Sequence, residues 1–169
     1  MKLYLAHIGD VVPEHLSLLS PERAAQVRRY RMPDDRKRCI AGGLLLRRFV
    51  GDTPVFAGEG GKPRAQNGVC FNLSHSGDWV LLAVADQEVG CDIEAVRQTD
   101  ALRLGRVVYT GGEMALLRRS PDRLQTFFAL WTKKEALLKC MGTGFHRPAK
   151  SVDVTADRFT EDGHCYSFA

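Results

Sequence analysis

The chain has 169 residues and a formal net charge of +4; 44% of its residues are hydrophobic and 26% are charged. This length and composition suit one globular domain or two small lobes that share a core. No apolar run approaches the roughly 20 residues of a membrane span, and the N-terminal MKLYLAHIGD alternates like a strand and does not resemble a signal peptide, so we expect a cytoplasmic protein that is not embedded in a membrane.

Five cysteines are scattered along the chain without any C-x-x-C pair. A disulfide framework or a zinc site would need paired spacing, so neither is predicted. We interpret the cysteines as small buried apolar residues.

Positive charge is concentrated in the N-terminal third. The segment from Arg23 to Arg48 contains nine basic residues but only two acidic ones, Asp34 and Asp35. Such a segment favours a partner that carries phosphate groups or acidic side chains. A solvated helix surface that only adds solubility is the alternative explanation.

The first half of the chain is predicted to form a strand, helices and then further strands. Ser20-Pro21-Glu22 supplies an N-cap serine, a proline at the first helical position and an acid in the first turn of a helix. Apolar residues at four-residue spacing predict a second helix over 35–50. A glycine-rich loop over 58–68 follows, and strands are predicted over 69–73 and 79–85.

The second half is predicted to begin with a strand over Val89–Glu94, which returns beside the preceding one. Thr110 and Glu113 form a capping box for a short helix. Ser120-Pro121-Asp122 is expected to open the longest helix, which runs from Pro121 to Cys140. The element order predicts an α+β fold with two similar halves.

Acidic residues form the first candidate site. Asp92 and Glu94 lie two apart in the predicted strand, so both face the same way and need water or a cation. Glu135 shares the apolar stripe of the long helix and needs a partner, either Lys139 or a cation shared with the other two acids. Three oxygen donors on rigid elements suit Mg²⁺. A surface ion pair between Glu135 and Lys139 is the alternative.

Two further stretches suit phosphate. Gly61-Lys62-Pro63 is a tight basic loop, and Phe71–Ser76 ends a strand with hydroxyl and imidazole donors. Each could instead be structural, as a loop and a turn histidine. Together with the acids, they describe a site for a polyphosphate ester held by Mg²⁺.

Four motifs in order resemble the 4′-phosphopantetheinyl transferases of the type that activates surfactin synthetase. They are G-K-P at 61–63, F-N-L-S-H-S at 71–76, G-C-D-I-E at 90–94 and W-T-K-K-E-A-L-L-K at 131–139. The likeness runs from near residue 1 to about Phe145. It implies a monomer built as a pseudo-dimer, with two similar α+β halves related by a pseudo-twofold axis and an active site at their interface. Residues 1–86 would bind the phosphates of coenzyme A, and residues 87–169 would carry the metal and catalytic residues.

The resemblance implies an enzyme, a holo-[acyl-carrier-protein] synthase. It would transfer the 4′-phosphopantetheine group of coenzyme A to a serine of an acyl, peptidyl or aryl carrier protein and release adenosine 3′,5′-bisphosphate. Such a reaction serves fatty acid, polyketide or nonribosomal peptide biosynthesis. The partners would be coenzyme A and a carrier protein, and neither nucleic acid nor a membrane.

The resemblance also implies roles for individual residues. Asp92, Glu94 and Glu135 would hold Mg²⁺, and Glu135 or a water molecule would deprotonate the serine. Lys139 would neutralise charge on the leaving phosphate. Contacts with coenzyme A are expected from Arg23, Arg38, Lys62, Pro63, Ser74, His75, Lys134 and Lys139.

Relatives of this type continue beyond the region of Val152 to Phe168 with additional strands that complete a second sheet. The second half of this chain is therefore expected to be closed, open at one edge, or completed by another chain. Two other functions stay open: a Mg²⁺-dependent nuclease, which leaves F-N-L-S-H-S and W-T-K-K-E-A-L-L-K unexplained, and a non-catalytic module that binds coenzyme A or a carrier protein.

Overall fold

The computed structural model describes residues 1–143 and 147–168; Phe145, its two neighbours and Ala169, which the sequence interpretation assigned to the second half, lie outside the described residues. The strands and helices are β1 (Lys2–His7), α1 (Pro21–Arg29), α2 (Pro33–Phe49), β2 (Val55–Ala57), β3 (Pro63–Ala65), β4 (Cys70–Ser76), β5 (Trp79–Ala85), α3 (Ala101–Val108), α4 (Gly111–Arg119), α5 (Arg123–Met141), β6 (Arg158–Glu161) and β7 (His164–Ser167). None of the helices in these ranges combines the length and the apolar character that crossing a bilayer requires. The predicted α+β class is confirmed.

The first half contains a three-stranded antiparallel sheet with the strand order β1-β5-β4. Leu5 and Ser74 lie opposite Leu81 on the two neighbouring strands. One face of this sheet packs against α2, where Leu45, Phe71 and Leu82 belong to the same buried cluster. The alternation that predicted β4 therefore also sets which of its side chains reach the core, and the continuous apolar run that predicted β5 agrees with its place in the middle of the sheet.

The sequence interpretation missed a short hairpin, whose second strand lies within the predicted glycine-rich loop over 58–68 and whose first strand precedes that loop. β3 pairs antiparallel with β2, with Phe56 opposite Arg64. Gly60 and Gly61 have positive φ angles of 63° and 79° just before β3. The loop prediction was therefore wrong for Pro63–Ala65, because a three-residue edge strand that begins with proline leaves almost no periodic signal.

The second half packs three helices and a hairpin around its own core. The buried residues of this core include Tyr109, Leu117, Phe128, Leu138 and Val154. β6 and β7 form a two-stranded antiparallel sheet, which packs Phe159 and Tyr166 against the same core.

The helix starts follow the predicted caps in two of three cases. Ser20 Oγ accepts the amide of Arg23 at the start of α1, and the capping box at the start of α4 is present. The prediction for α5 was wrong by two residues: Asp122 is the N-cap and accepts the amide of Gln125. Ser120 instead hydrogen-bonds around the turn that precedes the helix.

Val89–Glu94 is not a strand, so that prediction was wrong, although its side chains alternate as expected. Val89 and Cys91 are buried against Leu81 and Ala83 of the sheet. Burial raises the pKa of the Cys91 thiol to about 11, as expected of a structural cysteine. The segment has no backbone ladder, and side-chain hydrogen bonds hold it instead.

Candidate functional site

One face of β4 carries three polar side chains that form hydrogen bonds with residues 91–95, in the segment after β5. Side chains alternate along a strand, so Asn72, Ser74 and Ser76 point the same way. The Asn72 Oδ1 accepts the amide of Cys91, and the Ser76 Oγ accepts the amide of Ala95, each at 3.0 Å. These bonds hold the two acids of the intervening segment against the sheet.

Asp92, Ser74 and Lys139 form a compact cluster. The Ser74 Oγ donates to Asp92 Oδ1 at 2.7 Å, and Lys139 Nζ lies 2.6 Å from the same oxygen. Lys139 also donates to Ser74 Oγ at 3.1 Å and to the Cys91 carbonyl at 3.2 Å. The Asp92 side chain is only 6% exposed, whereas 27% of the Lys139 side chain is exposed, so the lysine remains within reach of a ligand.

Glu135 and Glu94 lie beside this cluster. Glu135 precedes Lys139 by one turn of α5 and is 9% exposed. Burial raises the pKa of Glu135; Lys139 lowers it, and the negative charges of Asp92 and Glu94 raise it further. The Glu94 Oε2 accepts a hydrogen bond from Ser76 Oγ at 3.0 Å. The three acids are therefore near enough to one another for their charges to interact.

The chemistry of these donors fits a divalent cation. Three carboxylates suit the oxygen preference of Mg²⁺, and the buried Asp92 Oδ2 has no hydrogen-bond partner among the described residues. In the present side-chain arrangement, residues 1–143 and 147–168 contain no group of three or more His, Cys, Asp or Glu side chains that could hold a metal ion. Asp92 Oδ1 instead binds Ser74 and Lys139, so a cation would have to compete with that lysine.

The next residue along β4, His75, points to the other face, near Arg38 of α2. Arg38 Nη1 donates to the Gly77 carbonyl at 2.7 Å, and Nη2 pairs with Asp35 at 2.7 Å. Partial burial lowers the pKa of His75; the positive charges of Arg38 and Lys139 lower it further, and Asp35 raises it. The His75 side chain reaches the surface, whereas the Arg38 guanidinium is already held by Gly77 and Asp35. An anion here could contact the imidazole directly and would have to share the guanidinium with Asp35.

Arg23 and Pro63 line a pocket of about 500 Å³ between α1, α2 and the β2–β3 hairpin. The Arg23 Nε is buried without a hydrogen-bond partner in the described part of the chain, and Nη1 donates to Gln26 Oε1 at 3.0 Å. A Cβ atom at Gly43 would lie 3.2 Å from Arg23 Cγ. The glycine therefore gives the arginine room to lie across α2.

Comparison with known proteins identifies the family. Residues 88–165 match the 4′-phosphopantetheinyl transferase superfamily. The 4′-phosphopantetheinyl transferase AcpT of Escherichia coli is 39% identical over 137 residues, which cover 77% of this chain and 70% of that relative. The chain belongs to the 4′-phosphopantetheinyl transferase superfamily. The family resemblance inferred from the four motifs is confirmed.

Two further 4′-phosphopantetheinyl transferases are similar to the chain. AcpT of Salmonella typhimurium is 42% identical over 123 residues, which cover 69% of this chain and 64% of that relative. The transferase psf-1 of Bacillus pumilus is 35% identical over 156 residues, which cover 86% of this chain and 66% of that relative. The chain thus spans about two thirds of the length of these relatives.

The role in coenzyme A binding that the transferase resemblance implied for Lys62 does not agree with its position. Lys62 is 7% exposed. Its Nζ lies 2.6 Å from Glu88 Oε2 and donates to the Cys140 carbonyl at 3.0 Å. The ammonium is therefore engaged within the protein and does not face an open cleft.

The position of Lys134 corrects a second implied contact. Lys134 is completely buried in the second half, and its Nζ lies 2.8 Å from the buried Glu113. It also donates to the carbonyls of Ala149 and Val152. Because a fully enclosed ammonium cannot touch a ligand in the cleft, we interpret Lys134 as a structural residue of this transferase-family chain.

Sequence reasoning missed several residues that build the site. Asn72 and Ser76 were quoted only as part of a motif, yet they anchor the acidic segment. Their spacing of two from Ser74 was the available signal. Glu88, the partner of Lys62, carried no signal, since the two residues are far apart in sequence.

Proposed function

We propose that the chain transfers the 4′-phosphopantetheine group of coenzyme A to a serine hydroxyl of an acyl, peptidyl or aryl carrier protein and releases adenosine 3′,5′-bisphosphate. The observation that carries this proposal is the cluster of Asp92, Ser74 and Lys139 beside the buried Glu135, in a chain of the 4′-phosphopantetheinyl transferase superfamily. Phosphoryl transfer depends on positioning and charge stabilisation, which such a cluster can supply.

Asp92, Glu94 and Glu135 are the proposed ligands of Mg²⁺, which when bound would neutralise negative charge on the diphosphate of coenzyme A. Two observations support this assignment: Asp92 Oδ2 has no hydrogen-bond partner within residues 1–143 and 147–168, and the negative charges of Asp92 and Glu94 add to the burial that raises the pKa of Glu135. The aspartate would give up its present contact with Lys139, so the ammonium would become available to the substrate.

Glu135 is the proposed acceptor of the serine proton. Its raised pKa makes its carboxylate a stronger base than an ordinary surface glutamate, provided that it is ionised at the working pH. As the serine oxygen forms its bond to the β-phosphorus of coenzyme A, the bond from that phosphorus to the bridging oxygen breaks. The proton of the serine hydroxyl passes to Glu135 Oε, and the electron pair of the broken bond stays on the departing bisphosphate.

Lys139 is proposed to stabilise that departing charge. Its ammonium already donates to three oxygens around Asp92, and its side chain is partly exposed. A point charge on a flexible stem can follow a phosphate oxygen as negative charge develops on it. Lys139 would therefore interact more strongly with the transition state, where this charge develops, than with bound coenzyme A before the reaction.

The remaining phosphates and the nucleotide of coenzyme A are proposed to lie along the first half. His75 and Arg38 would contact phosphate, with Arg23 and Pro63 lining the adjoining pocket. Ser74 Oγ points into the Asp92 cluster and would reach the diphosphate only by exchanging that bond. The basic segment of α1 and α2 would attract an acidic carrier protein at a rate that falls as salt rises.

The proposal extends to organisation and location. Residues 1–86 and 87–169 would be the two halves of a monomeric pseudo-dimer in the cytoplasm. The separate cores of the described residues support such a division, since one cluster lies within the first half and another within the second.

The direct test is incubation of the chain with an apo carrier protein, coenzyme A and Mg²⁺, followed by intact-mass measurement of the carrier. Addition of one phosphopantetheine group is expected, and it should disappear when the acceptor serine is replaced by alanine. Binding of coenzyme A without any adduct would favour the non-catalytic module, and cleavage of added DNA without an adduct would favour the nuclease.

A further inference from the structure

Lys62 is a buried lysine, and its burial needs a structural explanation if the side chain does not bind a ligand. Burying an ammonium is unfavourable unless charged and polar partners satisfy it. In the described part of the chain Lys62 has two such partners: the carboxylate of Glu88 at 2.6 Å and the carbonyl of Cys140 at 3.0 Å. Cys140 is the residue directly after Lys139 in α5.

The Cys140 carbonyl belongs to the last turn of α5. The last four carbonyls of a helix have no partner within the helix, and a positive charge is favourable at this end. Lys62 comes from the first half of the chain, so its hydrogen bond caps a helix of the second half from outside.

Two glycines bring the backbone close to the same turn. A Cβ atom at Gly60 would lie 1.9 Å from the Gly142 carbonyl oxygen, and one at Gly90 would lie 2.0 Å from the Ala136 carbonyl oxygen. Such distances leave no room for any side chain. The loop before β3 and the segment after β5 therefore both pack closely against the end of α5.

We propose that Lys62 is a positioning residue that fixes the last turn of α5 and thereby sets the place of Lys139 and Glu135 relative to Asp92. This inference rests on the proposed transferase function. Lys62 acts through the Cys140 carbonyl, while Glu88 neutralises its charge and orients it. Lys62 is not itself a contact of coenzyme A.

Arg64 offers a matched control for this role. It also pairs with Glu88, at 2.5 Å from Oε1, but its side chain is 46% exposed, and it makes no hydrogen bond to α5 among the described residues. Lys62→Met and Arg64→Met each remove one positive charge from the same carboxylate. Only the first removes the bond to the helix.

The experiment measures steady-state transfer and direct binding of coenzyme A for both variants. Lys62→Met should lower kcat about 10-fold with less than about a 2-fold change in the dissociation constant of coenzyme A, because small displacements of reacting groups cost rate more than affinity. Arg64→Met should change neither by more than about 2-fold. A Lys62→Met variant with unchanged kcat and a weakened affinity would overturn the proposal and restore the ligand-contact role.

Amide hydrogen exchange gives a readout that does not depend on activity. The amides of residues 137–142 should exchange about 10-fold faster in Lys62→Met than in Arg64→Met. Equal exchange in the two variants would contradict the positioning role. This readout needs no transfer activity, so it distinguishes failure of the positioning role from failure of the proposed transferase function. If Lys62→Met does not fold, Glu88→Gln is the second variant: it keeps Lys62 but removes the carboxylate that orients it, so the hydrogen bond to the Cys140 carbonyl should weaken. The kcat should then fall by less than about 10-fold; no loss would refute the role of the pair.

Discussion

Lys134 and Lys139 lie five residues apart on α5, yet they occupy opposite kinds of surroundings. Around Lys134 the protein is closed: the ammonium is fully buried, and its polar partners among the described residues are Glu113 and the carbonyls of Ala149 and Val152. The Tyr109 ring lies 5.9 Å from the same ammonium. Around Lys139 the protein is open on one side: the lysine is partly exposed, and its partner Asp92 keeps one buried oxygen without a hydrogen bond among the described residues.

The difference separates a structural charge from one that is available for chemistry. Glu113 accepts hydrogen bonds from the amides of Thr110 and Val154 in addition to its ion pair, so nothing in that network is left for a ligand. At Lys139, only Asp92 among the described acids is in direct contact, and Glu135 and Glu94 lie nearby. Burial is the main cause of the raised pKa of Glu135, and the negative charges of Asp92 and Glu94 raise it further. A cation or a phosphate group would complete the second arrangement but would have no place in the first.

The largest effect on activity is expected in the open region, by which we mean Lys139, Asp92, Glu94 and Glu135. Glu135→Ala should lower the transfer rate at least about 1,000-fold, because it removes both a proposed metal ligand and the proposed base. The free energy of unfolding should change little, since the variant also relieves repulsion from the other acids. Rate and thermal stability are measured together, with the exposed Glu14→Ala as the control. Unchanged turnover would refute the role of Glu135.

The next largest effect is expected in the closed region, the buried pair of Lys134 and Glu113, and it should appear as a loss of stability. Lys134→Met leaves Glu113 as an unpaired buried charge, which should cost about 3–5 kcal/mol of unfolding free energy. Adding Glu113→Gln should recover part of that loss. Denaturant titration measures both variants. An intact stability with a lost affinity for coenzyme A would instead mean that Lys134 contacts the ligand.

A smaller effect is expected where the phosphates are proposed to lie. His75→Ala should raise the KM for coenzyme A about 10-fold and leave kcat nearly unchanged, because one charge-assisted hydrogen bond is lost. The exposed His164 of β7 provides the control, as His164→Ala. A fall in kcat at unchanged KM would place His75 in the chemical step instead.

The smallest effect concerns pH and the Lys62 contact. The hydrogen bond from Lys62 lowers the pKa of Glu88, and Arg64 contributes in the same direction. A lowered pKa in the folded state gives stability that is present above the unfolded value of 4.5 and is lost as pH falls through the folded value. Because Glu88 is half-exposed, the stability difference between wild type and Glu88→Gln should be only about 0.2–1 kcal/mol at pH 7. This stability difference should become smaller as the pH falls. A stability difference that becomes larger in acid would contradict the lowered pKa of Glu88.

Features that depend on local sequence were predictable. The N-cap at Ser20, the capping box at Thr110 and the strands around Leu73 and Leu82 follow from neighbouring residues alone. The alternation in V-G-C-D-I-E correctly separated the buried Cys91 from the acids, although the segment lacks the ladder of a strand.

Features that depend on distant partners were not predictable. Lys62 and Lys134 look like ligand-binding lysines in their motifs, and only the folded chain brings them to Glu88 and Glu113. β3 was missed because three residues carry too little periodicity. The family resemblance implied a coenzyme A contact for both lysines, and it carried no information about the partners that bury them.

The most direct test of the open region is a crystal structure of the chain with coenzyme A and Mn²⁺ in place of Mg²⁺, with anomalous diffraction to locate the metal. The account predicts one strong anomalous peak that is shared by Asp92, Glu94 and Glu135 and lies against the diphosphate, with Lys139 moved from Asp92 to a phosphate oxygen. Coenzyme A bound with Lys139 still paired to Asp92, and with no metal between the three acids, would contradict it.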